Sequence, residues 1–135
     1  MSELAHSSEA PRILIAEDDI LLANLWDVAF KQAGFIVTIV HIGYAAIEYL
    51  RANPLPAVVV VDHMMPFAEG DEVLDTLYEL DPDRTVFSVF TSAVPSAINT
   101  VVRGKAHAFL EKPVPFSEIV AMARDLRDQL VDERA

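Results

Sequence analysis

The chain contains no cysteine. That excludes disulfides, zinc-thiolate sites and thiol catalysis. Positive charge is scarce, with 10 Lys and Arg against 21 Asp and Glu and a net charge of −11. Direct binding to a nucleic-acid backbone needs basic patches, so it is not expected. A basic partner or a bound cation suits the balance better. No apolar run approaches the roughly 20 residues needed to span a bilayer. Met1 to Ala10 is polar and acidic, with neither the basic flank nor the apolar centre of a signal peptide. No membrane association and a cytoplasmic location are the expectations.

What is present is a core. Hydrophobic residues make up 53% of 135 residues, enough for one packed domain. Residues 1–11 read as a polar tail, 12–131 as the domain and 132–135 as a second tail. Val58-Val59-Val60-Val61 is a β-branched run of the kind buried on both faces of a sheet, and it stops at Asp62. Pro66 and Gly70 then open a loop. Ile13-Leu14-Ile15-Ala16 is a similar run that stops at Glu17-Asp18-Asp19. Ile36–Val40, Val86–Phe90 and Ala108–Leu110 are the other strand candidates, the fourth ending at Thr91-Ser92 and the fifth leading to Glu111-Lys112-Pro113.

Helical spacing fills the intervals. Leu22, Leu25, Trp26, Ala29 and Ala33 form an apolar stripe that Gly34 ends, with Trp26 read as core packing. Ala46, Ile47 and Leu50 line a short helix before Asn53-Pro54-Leu55-Pro56, and Val73, Leu74, Leu77 and Leu80 a third that Asp81-Pro82-Asp83 closes. A short fourth helix is expected from Pro95 to Gly104, and Phe116, Ile119, Val120, Ala123, Leu126 and Leu130 define the last. Five strand–helix units predict an α/β fold, a doubly wound parallel sheet with right-handed crossovers. Ligands of such sheets bind at the carboxyl ends of the strands, where Glu17, Asp18, Asp62, Thr91 and Lys112 stand.

Each of these residues has an ordinary reading. Asp62 could cap a loop, Glu17-Asp18 could complement a helix dipole, Thr91 could cap the next helix, and Lys112 could be a surface lysine. Their convergence on one sheet edge favours chemistry. Crowded carboxylates call for a cation, and Mg²⁺ prefers such oxygen ligands. Carboxylate, Mg²⁺, lysine and hydroxyl together suit phosphoryl transfer onto Asp62. His63 and His107 have no histidine or cysteine at metal-ligand spacing and read as surface or loop residues.

These motifs, spread over residues 12–131, resemble the receiver domain of two-component response regulators (CheY-like). Their anchors are Ile13–Asp19, Val61–Pro66 with Gly70, Thr91-Ser92 and Phe109–Pro113. The resemblance implies the flavodoxin-like strand order 2-1-3-4-5 with five helices. It implies that Asp62 is the phosphoacceptor, that Asp18, Asp62 and the Met64 carbonyl bind Mg²⁺, and that Glu17 acts through water. It further implies that Lys112 pairs with Asp62 and then with the phosphoryl group, that Thr91 and Phe109 switch, and that the bond before Pro113 is cis. The implied partners are a sensor histidine kinase or a histidine phosphotransfer protein and a downstream protein target. Signalling would run through the fourth helix, fifth strand and fifth helix, and a phosphorylation-dependent dimer is one form it could take.

Departures from the pattern lie on that face. Lys105-Ala106 replaces a glycine-alanine pair, Gly104 falls one residue early, and Pro95 and Pro115 are additions. Met64 and Ala93 stand where the family tunes hydrolysis, and neither orients water, so a long-lived phosphoryl group is expected. The expected protein is a stand-alone receiver that catalyses its own phosphorylation and slow dephosphorylation but serves primarily in signalling. A phosphorelay shuttle and a receiver belonging to a larger regulator are the alternatives. A magnesium-dependent aspartyl-phosphate hydrolase would need an acid at position 64, where Met64 has no proton to give.

Overall fold

A computed structural model describes residues 10–94 and 104–134. Its strands are β1 (Arg12–Ala16), β2 (Ile36–Val40), β3 (Val58–Asp62), β4 (Phe87–Ser92) and β5 (Ala108–Glu111). The described helices are α1 (Ile20–Gln32), α2 (Gly43–Ala52), α3 (Gly70–Leu80) and α4 (Phe116–Arg134). All pairings are parallel, as the alternating runs predict, and the order is β2-β1-β3-β4-β5, as the family resemblance implied. Four helices are thus described where five were expected, because the one placed over Pro95–Gly104 falls mostly on residues outside the described set.

The fold follows from where apolar surface can be hidden. Every residue of β3 is buried, so the valine run is the centre of the sheet. Alternate side chains go to opposite faces. Leu14, Val59, Val61 and Phe90 pack beneath α2 and α3 with Leu50, Leu74 and Leu77. Ile13, Ile15, Val58, Val60 and Val89 pack on the other face with Trp26, Phe30, Ile119 and Leu126 of α1 and α4. Trp26 is fully buried among them.

Helix boundaries follow local chemistry. Asp19 caps α1 by accepting from Leu21 N–H at 3.0 Å and Leu22 N–H at 3.2 Å. After α1, Gly34 takes φ +96°, a conformation that costs glycine little. No side chain caps α2. Instead, Gly43 and Tyr44 donate their N–H groups to the carbonyls of Pro66 and Phe67, at 3.1 and 2.6 Å. That approach has no room for a side chain at Gly43, whose Cβ would lie 1.9 Å from the Ala68 carbonyl oxygen. The loop leaving β3 is thereby fastened to α2.

The fourth strand differs from expectation. Thr91 and Ser92 lie inside it rather than beyond its end. Their hydroxyls resemble turn chemistry, but the parallel register pairs Asp62 with Thr91 and Ser92 with Glu111, which extends the ladder.

Candidate phosphoryl-transfer site

Three strand ends supply the site. β1 runs directly into Glu17 and Asp18, β3 ends on Asp62, and β4 brings Thr91 into register beside Asp62. Lys112 follows β5 and is held by its N–H bond to the Ser92 carbonyl at 2.8 Å. The Lys112–Pro113 bond is cis.

Carboxylate oxygens of Glu17, Asp18 and Asp62 all lie within 4.8 Å of one another. Glu17 and Asp62 are buried, whereas Asp18 is exposed and leaves an open approach. The Lys112 ammonium lies 3.0 Å from Asp62 Oδ1 and 3.1 Å from Glu17 Oε1. Within the run Glu17-Asp18-Asp19, it is Asp19 Oδ1 that takes the helix-capping role. Glu17 is fixed instead by its neighbours: its Oε2 accepts from Asp19 N–H at 3.2 Å, and its carbonyl lies 2.9 Å from His41 Nδ1.

Electrostatics show that one ammonium does not satisfy three acids. Burial, reinforced by Asp62, pushes Glu17 up to about 8. Burial also raises Asp62, with the hydrogen bond to Asp18 acting in the same sense. Burial acts upward on Asp18 too, but hydrogen bonds with Asp62 and Glu17 outweigh it and hold its carboxyl below the usual range. For Lys112, burial opposes the charge, yet Asp62 and Glu17 raise its pKa overall. An all-oxygen set whose repulsion the protein's own cations leave unrelieved fits a hard divalent ion such as Mg²⁺.

Thr91 is completely buried, and its Oγ1 has no hydrogen-bond partner among the described residues. A buried hydroxyl left unpaired is uncommon and calls for a reason. Met64 lies in the loop after β3 with its side chain exposed. Phe109 is half-buried on β5 and meets Phe90 edge-on, with ring centres 6.3 Å apart. The site residues named from the sequence are therefore gathered at one end of the sheet, with Phe109 on the face behind them.

His63 and His107 lie in loops, as read from the sequence, but each has a partner that the sequence does not indicate. His63 is half-buried, with Nδ1 3.1 Å from Ser92 Oγ. His107 lies at the surface but its Nδ1 accepts from Ser88 N–H at 3.1 Å, and its ring stacks on Phe87. Neither bond leaves a local signature, because the partners meet only through strand register. Among the described residues no helix is long and apolar enough to cross a membrane.

Comparison with known proteins gives a consistent result. The family model for the response regulator receiver domain matches residues 13–124. The transcriptional regulatory protein CutR of Streptomyces coelicolor is 33% identical over 116 residues, covering 85% of this chain and 52% of CutR. The chain thus spans about half the length of that curated relative. The two-component response regulator ORR5 of Oryza sativa subsp. japonica is 29% identical over 112 residues, covering 82% of this chain and 84% of ORR5. The receiver domain of Francisella response regulator 1452 superposes with a TM-score of 0.73 at 25% identity, covering 88% of this chain and 98% of that one. A CheY-like receiver domain protein from Methanospirillum hungatei JF-1 gives 0.74 at 24% identity, covering 93% and 99%.

Proposed function

The chain belongs to the response regulator receiver family, and on that premise we propose that Asp62 accepts a phosphoryl group from a histidine kinase or a histidine phosphotransfer protein. The observation that carries this reading is the environment of Asp62. It is a buried carboxylate that shares one lysine with Glu17, beside a buried threonine hydroxyl that has no hydrogen-bond partner among the described residues.

In the proposed reaction, an Asp62 oxygen attacks phosphorus. The Asp62 O–P bond forms as the bond from phosphorus to the donor nitrogen breaks, and the departing imidazole keeps that electron pair. Glu17, Asp18 and Asp62 would hold Mg²⁺, with Glu17 acting through water and the Met64 carbonyl as a further ligand. Bound there, Mg²⁺ would neutralise charge on the phosphoryl oxygens. Lys112 moves from its pairing with Asp62 to the new phosphoryl group, and Thr91 Oγ1 donates to it. Hence the transfer is driven by positioned charge rather than by acid–base chemistry.

A downstream protein is engaged through a face that includes β5 and α4, and the helix read over Pro95–Gly104, which would complete that face, lies mostly outside the described residues. Relay to a second phosphotransfer protein is the variant of this reading.

The test is incubation with acetyl phosphate and Mg²⁺ followed by intact-mass measurement. One phosphate is expected on the native chain and none on Asp62→Asn. An unmodified native chain would overturn the proposal. Met64 offers no group to orient attacking water, so the phosphoryl group is expected to be long-lived. Met64→Asn should shorten its half-life severalfold in a hydrolysis assay, and an unchanged half-life counts against that role.

A further inference from the structure

The exit of β3 carries a side chain that the proposed chemistry leaves unused. His63 follows Asp62, and its contacts place it on the face of the sheet that holds Phe90. Its ring centre lies 5.6 Å from that of Phe90, which is fully buried and in turn meets Phe109. Its Nδ1 lies 3.1 Å from Ser92 Oγ. The backbone adds a second tie, since His63 N–H donates to the Thr91 carbonyl at 2.8 Å.

Ser92 is as buried as Thr91, with 1% exposure, and its hydroxyl sits in a closed network. Val94 N–H donates to Oγ at 3.0 Å, while the Val94 carbonyl lies 3.1 Å away and His63 Nδ1 also 3.1 Å. A hydroxyl has one hydrogen to give. With the imidazole proton on Nδ1, His63 donates to Ser92 Oγ, and Ser92 donates to the Val94 carbonyl. Every group is then paired. Thr91, directly before Ser92, has the opposite condition: its hydroxyl is buried and unpaired among the described residues. Thr91 and Ser92 are consecutive, so the bond from His63 to Ser92 also limits where Thr91 can go.

We propose that His63 is a positioning residue that restrains the switch. It ties the phosphoacceptor strand to the end of β4 and the turn at Val94 through Ser92, and to Phe109 through Phe90. Its bond to Ser92 holds the turn in the unphosphorylated arrangement, so loss of the bond favours the phosphorylated one. The inference rests on the phosphoacceptor reading of Asp62.

Beryllofluoride, a tetrahedral phosphoryl mimic, tests it on the full chain with Mg²⁺ by calorimetric titration. His63→Phe keeps a ring against Phe90 but removes the bond, and Ser92→Ala removes it from the other side. Each should tighten beryllofluoride binding by about three- to tenfold, the range that an ordinary hydrogen bond commands. The double variant should gain no more than either single, and His63→Asn, which restores a polar group near the Nδ1 position, should return to native affinity. A purely structural role would lower thermal stability without tightening the mimic. Unchanged or weaker binding in both single variants, or additive gains in the double, overturns the restraint. If His63→Phe fails to fold, the comparison of Ser92→Ala with the native chain decides. A native chain that binds no beryllofluoride overturns the phosphoacceptor reading and this inference with it. Native binding with unaltered variants overturns the inference alone.

Discussion

At the amino-terminal end of the sheet, Asp81 is a buried acid with both oxygens occupied. Oδ1 accepts from the Thr85 hydroxyl and Oδ2 from Val86 N–H, each at 2.7 Å. At the carboxyl-terminal end, Glu17 and Asp62 are equally buried but share a single ammonium with Asp18 close by. The consequences have opposite sign. Burial pushes Asp81 upward, yet the bonds from Val86 and Thr85 prevail and its pKa falls, whereas burial and crowding leave Glu17 and Asp62 raised. Burial alone therefore does not mark a reactive acid. The distinction lies in whether the surroundings complete its hydrogen bonds with neutral donors or leave it competing with other carboxylates.

The largest expected effect breaks this comparison at its structural end. Asp81→Ala strands a buried N–H and a hydroxyl, and should cost about 2–4 kcal/mol of folding stability. Asp62→Asn removes one of the competing charges and should leave stability unchanged or raise it by up to about 1 kcal/mol. Urea denaturation of both variants checks the contrast. Equal destabilisation would show that the two acids play the same role.

The next prediction sharpens the comparison through pH. His107 at the structural end titrates below its ordinary 6.5, because burial and then the nearby Arg84 charge oppose protonation. The unfolded chain therefore binds that proton more readily. The stability from His107 is present above 6.5 and is lost as pH falls through 6.5 toward the lowered value. Glu17, pushed up to about 8, acts in the other direction. Its folded form holds a proton that the unfolded chain releases from 4.5 upward, so its contribution is lost as pH rises toward 8. Above 4.5 and below 6.5 the two slopes oppose each other. In magnesium-free buffer, His107→Gln should make melting temperature fall more steeply as pH rises through that window, and Glu17→Gln should make it rise. Parallel pH profiles for the two variants would refute the opposition.

These two ends were unequally legible in the sequence. Apolar runs ending in Glu17, Asp62 and Thr91 could be ordered along one edge because each strand of a parallel sheet delivers its end to the same side. Alternation of runs and stripes likewise gave the architecture. Asp81 looked only like a helix stop, since its value depends on Thr85 and Val86 turning back toward it. His63 and Ser92 are 29 residues apart, and Ser88 and His107 are 19 apart. Strand register alone brings them together, and register is a long-range property that no local pattern carries. Thr91 and Ser92 were placed past the end of β4 for the same reason. The helix expected over Pro95–Gly104, on the face read as the output surface, falls mostly outside the described residues.

The smallest effect compares backbone strain at the two ends. Ala68, in the loop that fastens Asp62's strand to α2, has φ +93°, and Arg84, in the turn after Asp81, has φ +57°. The second value lies in the ordinary left-handed well, which non-glycine residues visit at modest cost, whereas the first lies beyond it in space that suits glycine. Glycine also loses more chain entropy on folding, which subtracts from any relief. Ala68→Gly should accordingly gain about 0.5–1 kcal/mol, and Arg84→Gly close to nothing. Chemical denaturation resolves the difference, and a larger gain at Arg84 would mean that the strain is concentrated at the structural end. The Ala68 carbonyl also lies where a Gly43 side chain would project, so the loop is held in its conformation by the close approach of α2. The strain at Ala68 is thus a consequence of fastening the phosphoacceptor loop to its neighbour, and its relief by glycine should leave the Gly43 and Tyr44 bonds to that loop intact.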